Sequence, residues 1–182
     1  MKFHLTHGTA VTLSQDRTVA TRDETSFCNG VVFSEQALKI GQKICLELGC
    51  VTSWSGALRL GVTTHDPSTL TSQGLPKYAY PNLTQKEGYW ARAVPERLVC
   101  AGCRVMVYVT SSGQLQVFVD GQHKGVLLAK LPTTSTLWLL ADVYGNTSRV
   151  AFVKPGTWES SVMTTQLLFL VCLVLNLKKR LT

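Results

Sequence analysis

The run CRVMVYVTSSGQLQVFVDG, residues 103–121, decides the fold. In 103–110, Val105, Val107 and Val109 point one way and Arg104, Met106 and Tyr108 the other. That is the two-residue repeat of a β-strand. Both sets are largely apolar, so the strand is expected to be covered on both faces for part of its length. Thr110-Ser111-Ser112-Gly113-Gln114 interrupts it. Leu115, Val117 and Val119 then alternate with Gln116, Phe118 and Asp120. Two β-rich runs joined by a short glycine-containing loop predict a hairpin, and Asp120-Gly121 predicts a further turn after it.

The same pattern extends outward. Short strands are expected near 10–13, 19–21, 31–33, 43–48, 57–62, 125–128, 137–143 and 149–153. Turn residues punctuate them at Asn29-Gly30, Gly49, Asp66-Pro67, Gly102, Gly145-Asn146 and Pro155-Gly156. The body holds no long apolar stripe at helical spacing and no internal repeat. The expected fold is all-β, an antiparallel β-sandwich, rather than a propeller or solenoid. Trp54, Trp90 and Trp138 fall in or beside strands, where large rings are more often core than ligand platform.

Residues 66–87, DPSTLTSQGLPKYAYPNLTQKE, show no sustained alternation. Structureless loops of this length in a compact domain are functional or disordered. Tyr78 and Tyr80, held between Pro76 and Pro81, favour an ordered loop lying along the surface.

The chain has 182 residues, enough for one ordinary domain with a real core. Its net charge is +7, but Lys178, Lys179 and Arg180 supply three of the 18 basic residues. The body is only mildly basic and has no Lys/Arg stripe interleaved with aromatics, so nucleic acid is not an expected partner. The N-terminal MKFHLTHGTAVTLSQ lacks the apolar run of a signal peptide. The six cysteines are therefore expected as reduced thiols in a cytoplasmic protein. The sequons at Asn82 and Asn146 are then chance matches in turns.

Enzyme and metal readings find little purchase. His65-Asp66 sits beside Pro67 in a turn, where the aspartate caps local N–H groups. A nucleophile elbow is missing: Ser53-Trp54-Ser55-Gly56 lacks its first glycine. Cys100 and Cys103 form a C-x-x-C pair, but a structural zinc usually takes a second pair, and none follows. No glycine-rich phosphate loop is present. No catalytic residue, metal or cofactor is expected.

Composition changes after Trp158, placing a boundary near Glu159. Residues 1–159 form the domain, and 160–182 a hydrophobic tail with a basic end. The run 162–177 spans about 24 Å as a helix, against a hydrocarbon core of about 30 Å. Reversible membrane association through 162–177, a core helix in an oligomer and an unusual terminus that is simply a liability all stay open as readings of it.

An ordered set of segments resembles a known family. They are Phe3-His4, His7-Gly8, Ser26-Phe27-Cys28-Asn29-Gly30-Val31-Val32-Phe33-Ser34, and Trp54-Ser55-Gly56-Ala57-Leu58-Arg59-Leu60-Gly61-Val62-Thr63 followed by Asp66-Pro67. Leu75-Pro76-Lys77-Tyr78, Pro81-Asn82-Leu83, Gly88-Tyr89-Trp90, Leu137-Trp138 and Asp142-Val143-Tyr144-Gly145-Asn146-Thr147 continue the series. Together they resemble the neuralized homology repeat, from about Phe3 to about Val153. The resemblance implies a sandwich related to SPRY domains and a protein-binding module. In neuralized-type ligases that module selects substrates for ubiquitination, including the cytoplasmic tails of Notch ligands, through short asparagine-bearing motifs. The transfer chemistry there belongs to a separate zinc-binding RING domain. Beyond Val153 this sequence offers only Cys172 and no histidine, so no RING is expected and the chain is not expected to be an enzyme by itself. The alternatives are a ligase component that needs a RING in trans, and a membrane-associated adaptor or dominant-negative form. The family often has aspartate where Asn82 stands.

The expected partner is a protein with an exposed peptide motif. Its expected binding residues are the turn and loop side chains His65, Asp66, Tyr78, Tyr80, Asn82, Tyr144 and Asn146. Tyrosines supply rigid contact area, and the polar residues supply hydrogen bonds to the peptide.

Overall fold

The computed structural model describes residues 1–50 and 54–155. The expected boundary near Glu159, the tail, its membrane reading and Ser53 lie outside the described residues. Among the described residues no helix is long and apolar enough to cross a membrane.

The strands are Val11–Leu13 (β1), Val19–Arg22 (β2), Val31–Phe33 (β3), Ile44–Cys50 (β4), Arg59–Thr63 (β5) and Tyr89–Ala93 (β6). Arg104–Val109 (β7), Leu115–Val119 (β8), Gln122–Leu128 (β9), Trp138–Asp142 (β10) and Thr147–Val153 (β11) complete them. They form a seven-stranded sheet, ordered β1-β2-β11-β4-β7-β8-β9, and a four-stranded sheet, ordered β3-β10-β5-β6. Every pairing is antiparallel, as expected from the alternation. The deciding hairpin pairs Val105 with Val119 and Val109 with Leu115. Asp120 (φ 45°) and Gly121 (φ 80°) make the tight turn into β9. Both central residues have the positive φ that two-residue hairpin turns of this kind require.

Three elements depart from expectation. Strand β6 is not among the strands expected, although Trp90 is expected in or beside one; Ala91 is small and Arg92 and Ala93 are exposed, so its alternation is faint. The strand expected from residue 57 begins at Arg59. Gly56 turns the chain just before it with φ 87°, a region open mainly to glycine. Strand β9 starts at Gln122 rather than 125, with an exposed, polar first half on the sheet edge. Polar edge strands of this kind resist pairing with other chains.

The sheets bury a common core. Leu46, Leu48, Val105 and Val107 of the large sheet share it with Leu60, Val62, Leu139 and Ala141 of the small one. Each buried leucine or valine among them stabilises the fold by roughly 1.5–3 kcal/mol. A second cluster covers the other face of the small sheet: Val31, Phe33, Tyr89, Ala91 and Leu140 pack with Ala79 and Leu83. The last two come from the 66–87 segment, which is ordered and lies along the sheet. It is built from short helical turns at Pro67–Thr69 and Ser72–Gly74 and a wider turn at Ala79–Leu83, within which Tyr80 is extended. The small sheet is thus buried on both sides, and alternate residues of β10 point into different cores.

The two ends of the described body meet. Phe3 bridges to Ser34, and its ring lies 4.3 Å from that of Phe152. Met1 and Pro155 line one cavity of about 280 Å³ with Thr18 and Ile44.

Candidate recognition site

At one pole of the sandwich β2, β4 and β10 finish and β3, β5 and β11 begin. The loops joining them bring four aromatic rings together. Phe27 comes from the β2–β3 loop, Trp54 from the segment before β5, Tyr78 from the 66–87 segment and Tyr144 from the β10–β11 turn. Phe27 is central, with ring centroids 5.3 Å from Trp54, 6.3 Å from Tyr78 and 6.2 Å from Tyr144. Tyr78 and Tyr144 meet edge to face at 6.0 Å. These separations lie in the favourable range for aromatic pairs. Phe27 keeps 37% of its surface exposed, a large apolar ring left open to a partner.

Polar bonds hold the rings in place. The Trp54 indole Nε1 donates to the Glu24 carbonyl at 2.9 Å. The Gly145 N–H donates to the Phe27 carbonyl and the Asn146 N–H to the Gly56 carbonyl, tying three of the loops by backbone alone. Tyr144 lies so close over Gly56 that a Cβ there would sit 2.6 Å from its Cε1.

Beneath the rings lies a charged centre. The Arg59 guanidinium carbon sits 3.6 Å from the Tyr144 ring centroid and 5.8 Å from that of Tyr78. Cation–π attraction at partly desolvated positions like this contributes roughly 0.5–2 kcal/mol. Arg59 Nη1 also donates to Asp142 Oδ2 at 3.0 Å. The two residues face each other directly in the β5–β10 register. Asp142 is fully buried, and its Oδ2 also accepts the Ala79 N–H at 2.9 Å. Burial pushes this carboxyl's pKa up, against the downward pull of the Ala79 N–H and Arg59. Arg22, also fully buried, donates through Nη2 to the carbonyls of Gly145 and Thr147, and through Nη1 to that of Asp23. Burial lowers its pKa, and the nearby Asp142 opposes that shift. These charges brace the loops from below. The arrangement offers an aromatic surface braced by a buried ion pair.

Two of the residues expected from sequence, Tyr78 and Tyr144, stand in this group. Asn146 borders it, and its Oδ1 accepts from the Thr147 hydroxyl at 3.4 Å. Tyr80 and Asn82 are exposed on the Ala79–Leu83 turn, Tyr80 at 56%. His65 and Asp66 lie past the far end of β5 from Arg59. His65 stacks on Tyr89 at 4.6 Å with its Nε2 bonded to the Glu87 carbonyl. The Asp66 carboxylate accepts the Ser68 N–H and starts a helical turn. That bond holds its pKa below the ordinary carboxylate value. Neither side chain engages the other, so no His–Asp dyad forms. Sequence reasoning left Phe27, Trp54, Arg59, Asp142 and Arg22 out of the site. Phe27, flanked by a run of turn residues, was the one recoverable signal, since a large ring in a turn has little core to enter.

Comparison with known proteins agrees with this architecture. The family model described as Neuralized matches residues 3–154. Protein neuralized of Drosophila melanogaster is 36% identical over 154 residues, covering 84% of this chain and 20% of that protein. The E3 ubiquitin-protein ligase NEURL1B of Mus musculus is 38% identical over 136 residues, covering 74% of this chain and 25% of that protein. The chain thus spans about a fifth to a quarter of the length of these relatives. The crystal structure of the Drosophila melanogaster neuralized-NHR1 domain superposes with a TM-score of 0.81 at 36% identity, covering 84% of this chain and 97% of that one. The SPRY domain of human HERC1, at TM-score 0.60 and 7% identity, shares the fold. The region matched is the NHR domain of neuralized-family ligases, a protein-interaction domain. With its sandwich and its matched span in agreement, the chain belongs to the Neuralized family through its neuralized homology repeat.

Proposed function

We propose that this chain is a substrate-recognition module in a neuralized-type ubiquitin ligase pathway, and that it binds an exposed peptide segment of its partner at the aromatic pole. The observation that carries this reading is the meeting of Phe27, Trp54, Tyr78 and Tyr144 over Arg59. Rigid aromatic anchors beside an arginine are the residue types that dominate binding energy at protein interfaces. The partner we favour is an asparagine-bearing segment, of the kind found in cytoplasmic tails of Notch ligands, which places the binding event in the cytoplasm. The amide of such a segment would bond to Asn146 and the tyrosine hydroxyls while its apolar parts cover Phe27. Ubiquitin transfer would be performed by a RING-bearing partner, because the part of the ligase relatives that this chain matches is the neuralized repeat alone.

The test is calorimetry of the full chain with asparagine-containing tail peptides. Trp54→Ala/Tyr78→Ala is expected to cost about 2 kcal/mol of binding, roughly a thirtyfold loss of affinity. His65→Ala, at the opposite pole, is expected to leave affinity unchanged. Equal loss in both variants, or none in the first, would refute the placement of the site. Peptides that never bind the folded parent would remove this ligand class.

A further inference from the structure

The C-x-x-C pair packs against the end of β4, where the Gly102 N–H donates to the Leu48 carbonyl, and the fold supplies what the sequence lacked. Cys100 and Cys103 flank a turn that Gly102 makes with φ 78° just before β7. Asp120 stands at the end of β8, and its N–H donates to the Arg104 carbonyl at 2.9 Å. This pairing, one step beyond the Val105–Val119 register, sets the aspartate beside the turn. The two thiol sulfurs and a carboxylate oxygen of Asp120 all lie within 4.8 Å of one another. We propose that Cys100, Cys103 and Asp120 form a three-ligand site for a thiophilic divalent cation such as Zn²⁺, with a fourth position open to solvent.

The donors suit that ion. Two sulfurs and one carboxylate are common zinc ligands, and three protein ligands plus water is the pattern of an open site. In a tetrahedral zinc site with Zn–S of about 2.3 Å, ligand atoms stand about 3.7 Å apart. The present cluster must contract by no more than about 1 Å to reach that spacing. Cys100 is exposed and has room to make the adjustment, whereas Cys103 is buried and Asp120, though exposed, is held through one oxygen by the Arg104 N–H. The outer contacts already orient two ligands. The Cys103 sulfur receives the Cys100 N–H at 2.9 Å and donates its proton to the Cys100 carbonyl, while burial pushes the thiol's pKa up to about 12, so the ion has to displace that proton. The Asp120 Oδ1 accepts the Arg104 N–H at 2.8 Å, leaving its second oxygen for the ion. Binding converts two thiols to thiolates and releases two protons to solvent. The site charge becomes −1, from three anionic ligands and a dication. Cys50 lies close enough to Cys100 to interact electrostatically, but it is not one of the three clustered ligands.

The test uses the full chain, reduced and stripped with a chelator, then titrated with Co²⁺ as a spectroscopic substitute for Zn²⁺. One equivalent is expected to produce sulfur-to-cobalt charge-transfer absorption and the visible bands of tetrahedral cobalt, both erased by Zn²⁺. Cys100→Ser and Asp120→Asn are expected to weaken Zn²⁺ at least about tenfold, the loss typical of removing even a supporting group. Asparagine at 120 still accepts the Arg104 N–H, so that variant isolates the charge. Cys50→Ser is expected to change nothing. Absence of the sulfur bands in the parent would overturn the proposal. So would full binding retained in both Cys100→Ser and Asp120→Asn, or lost in Cys50→Ser.

Discussion

Replacing Arg59 by leucine would leave the Asp142 carboxylate buried with one N–H, from Ala79, as its remaining direct partner among the described residues. Removing one member of a buried ion pair costs roughly 3–5 kcal/mol, mostly because the other charge is stranded. The lower end applies here, since the Arg59 side chain retains 12% exposure and Arg22 still lies nearby. A loss of about 3 kcal/mol corresponds to a Tm lowered by about 6–12 °C in a domain of this size. The pH dependence has a definite sign. The Asp142 pKa is already raised in the fold, and losing Arg59 raises it further. A carboxyl whose folded pKa exceeds its unfolded value costs nothing below the unfolded value. Its penalty grows as pH rises through the interval between the two and is complete above the folded pKa. The Arg59→Leu defect should therefore shrink in acid and be largest near neutrality. Urea denaturation at both pH values measures it, with Arg59→Leu/Asp142→Asn alongside. The double variant should recover part of the loss, because the Asp142 charge is no longer stranded, although buried Arg22 then loses the carboxylate that offsets its own burial. Additive losses, or a single-variant defect below about 1 kcal/mol, would refute the reasoning.

Gly56→Ala places a methyl against Tyr144 at a positive-φ position, so both stability and the ring's seat on Arg59 suffer. A cost of about 1–3 kcal/mol is expected by chemical denaturation, with weaker peptide binding and altered near-ultraviolet dichroism from the displaced ring. Asp16 accepts bonds from the Ser14 hydroxyl and from the N–H and hydroxyl of Thr18, which lower its pKa to about 2. Its contribution to stability is present above the ordinary carboxylate range and is lost as pH falls through that range toward 2. Carboxyl-carbon NMR should find the low midpoint, and Ser14→Ala should raise it.

Residues 103–121 revealed their hairpin because each strand carries its own alternation and the turn its own residues, all local. The faint strand Tyr89–Ala93 escaped because its burial depends on β5 beside it and the 66–87 segment above it. The site divided along the same line. Tyr78 and Tyr144 were legible as aromatics near turns, and Asn146 as a turn residue. Arg59 and Asp142 stand 83 residues apart, and nothing local to either one announces the other. Their pairing follows from β-register, which only the assembled sheet defines. His65 and Asp66, adjacent to each other in sequence and suggestive of chemistry, spend their hydrogen bonds on neighbouring backbone instead.

The contact between Phe3 and Phe152 has a consequence for architecture. Strand β11 leaves the aromatic pole at Thr147 and runs seven residues, roughly 23 Å, before reaching Met1's neighbourhood at Val153. The first and last described residues therefore lie together on the side away from the rings. A tag or surface linker placed at Met1 would stand behind the recognition face like a handle behind a mirror, holding the unit without covering what it presents.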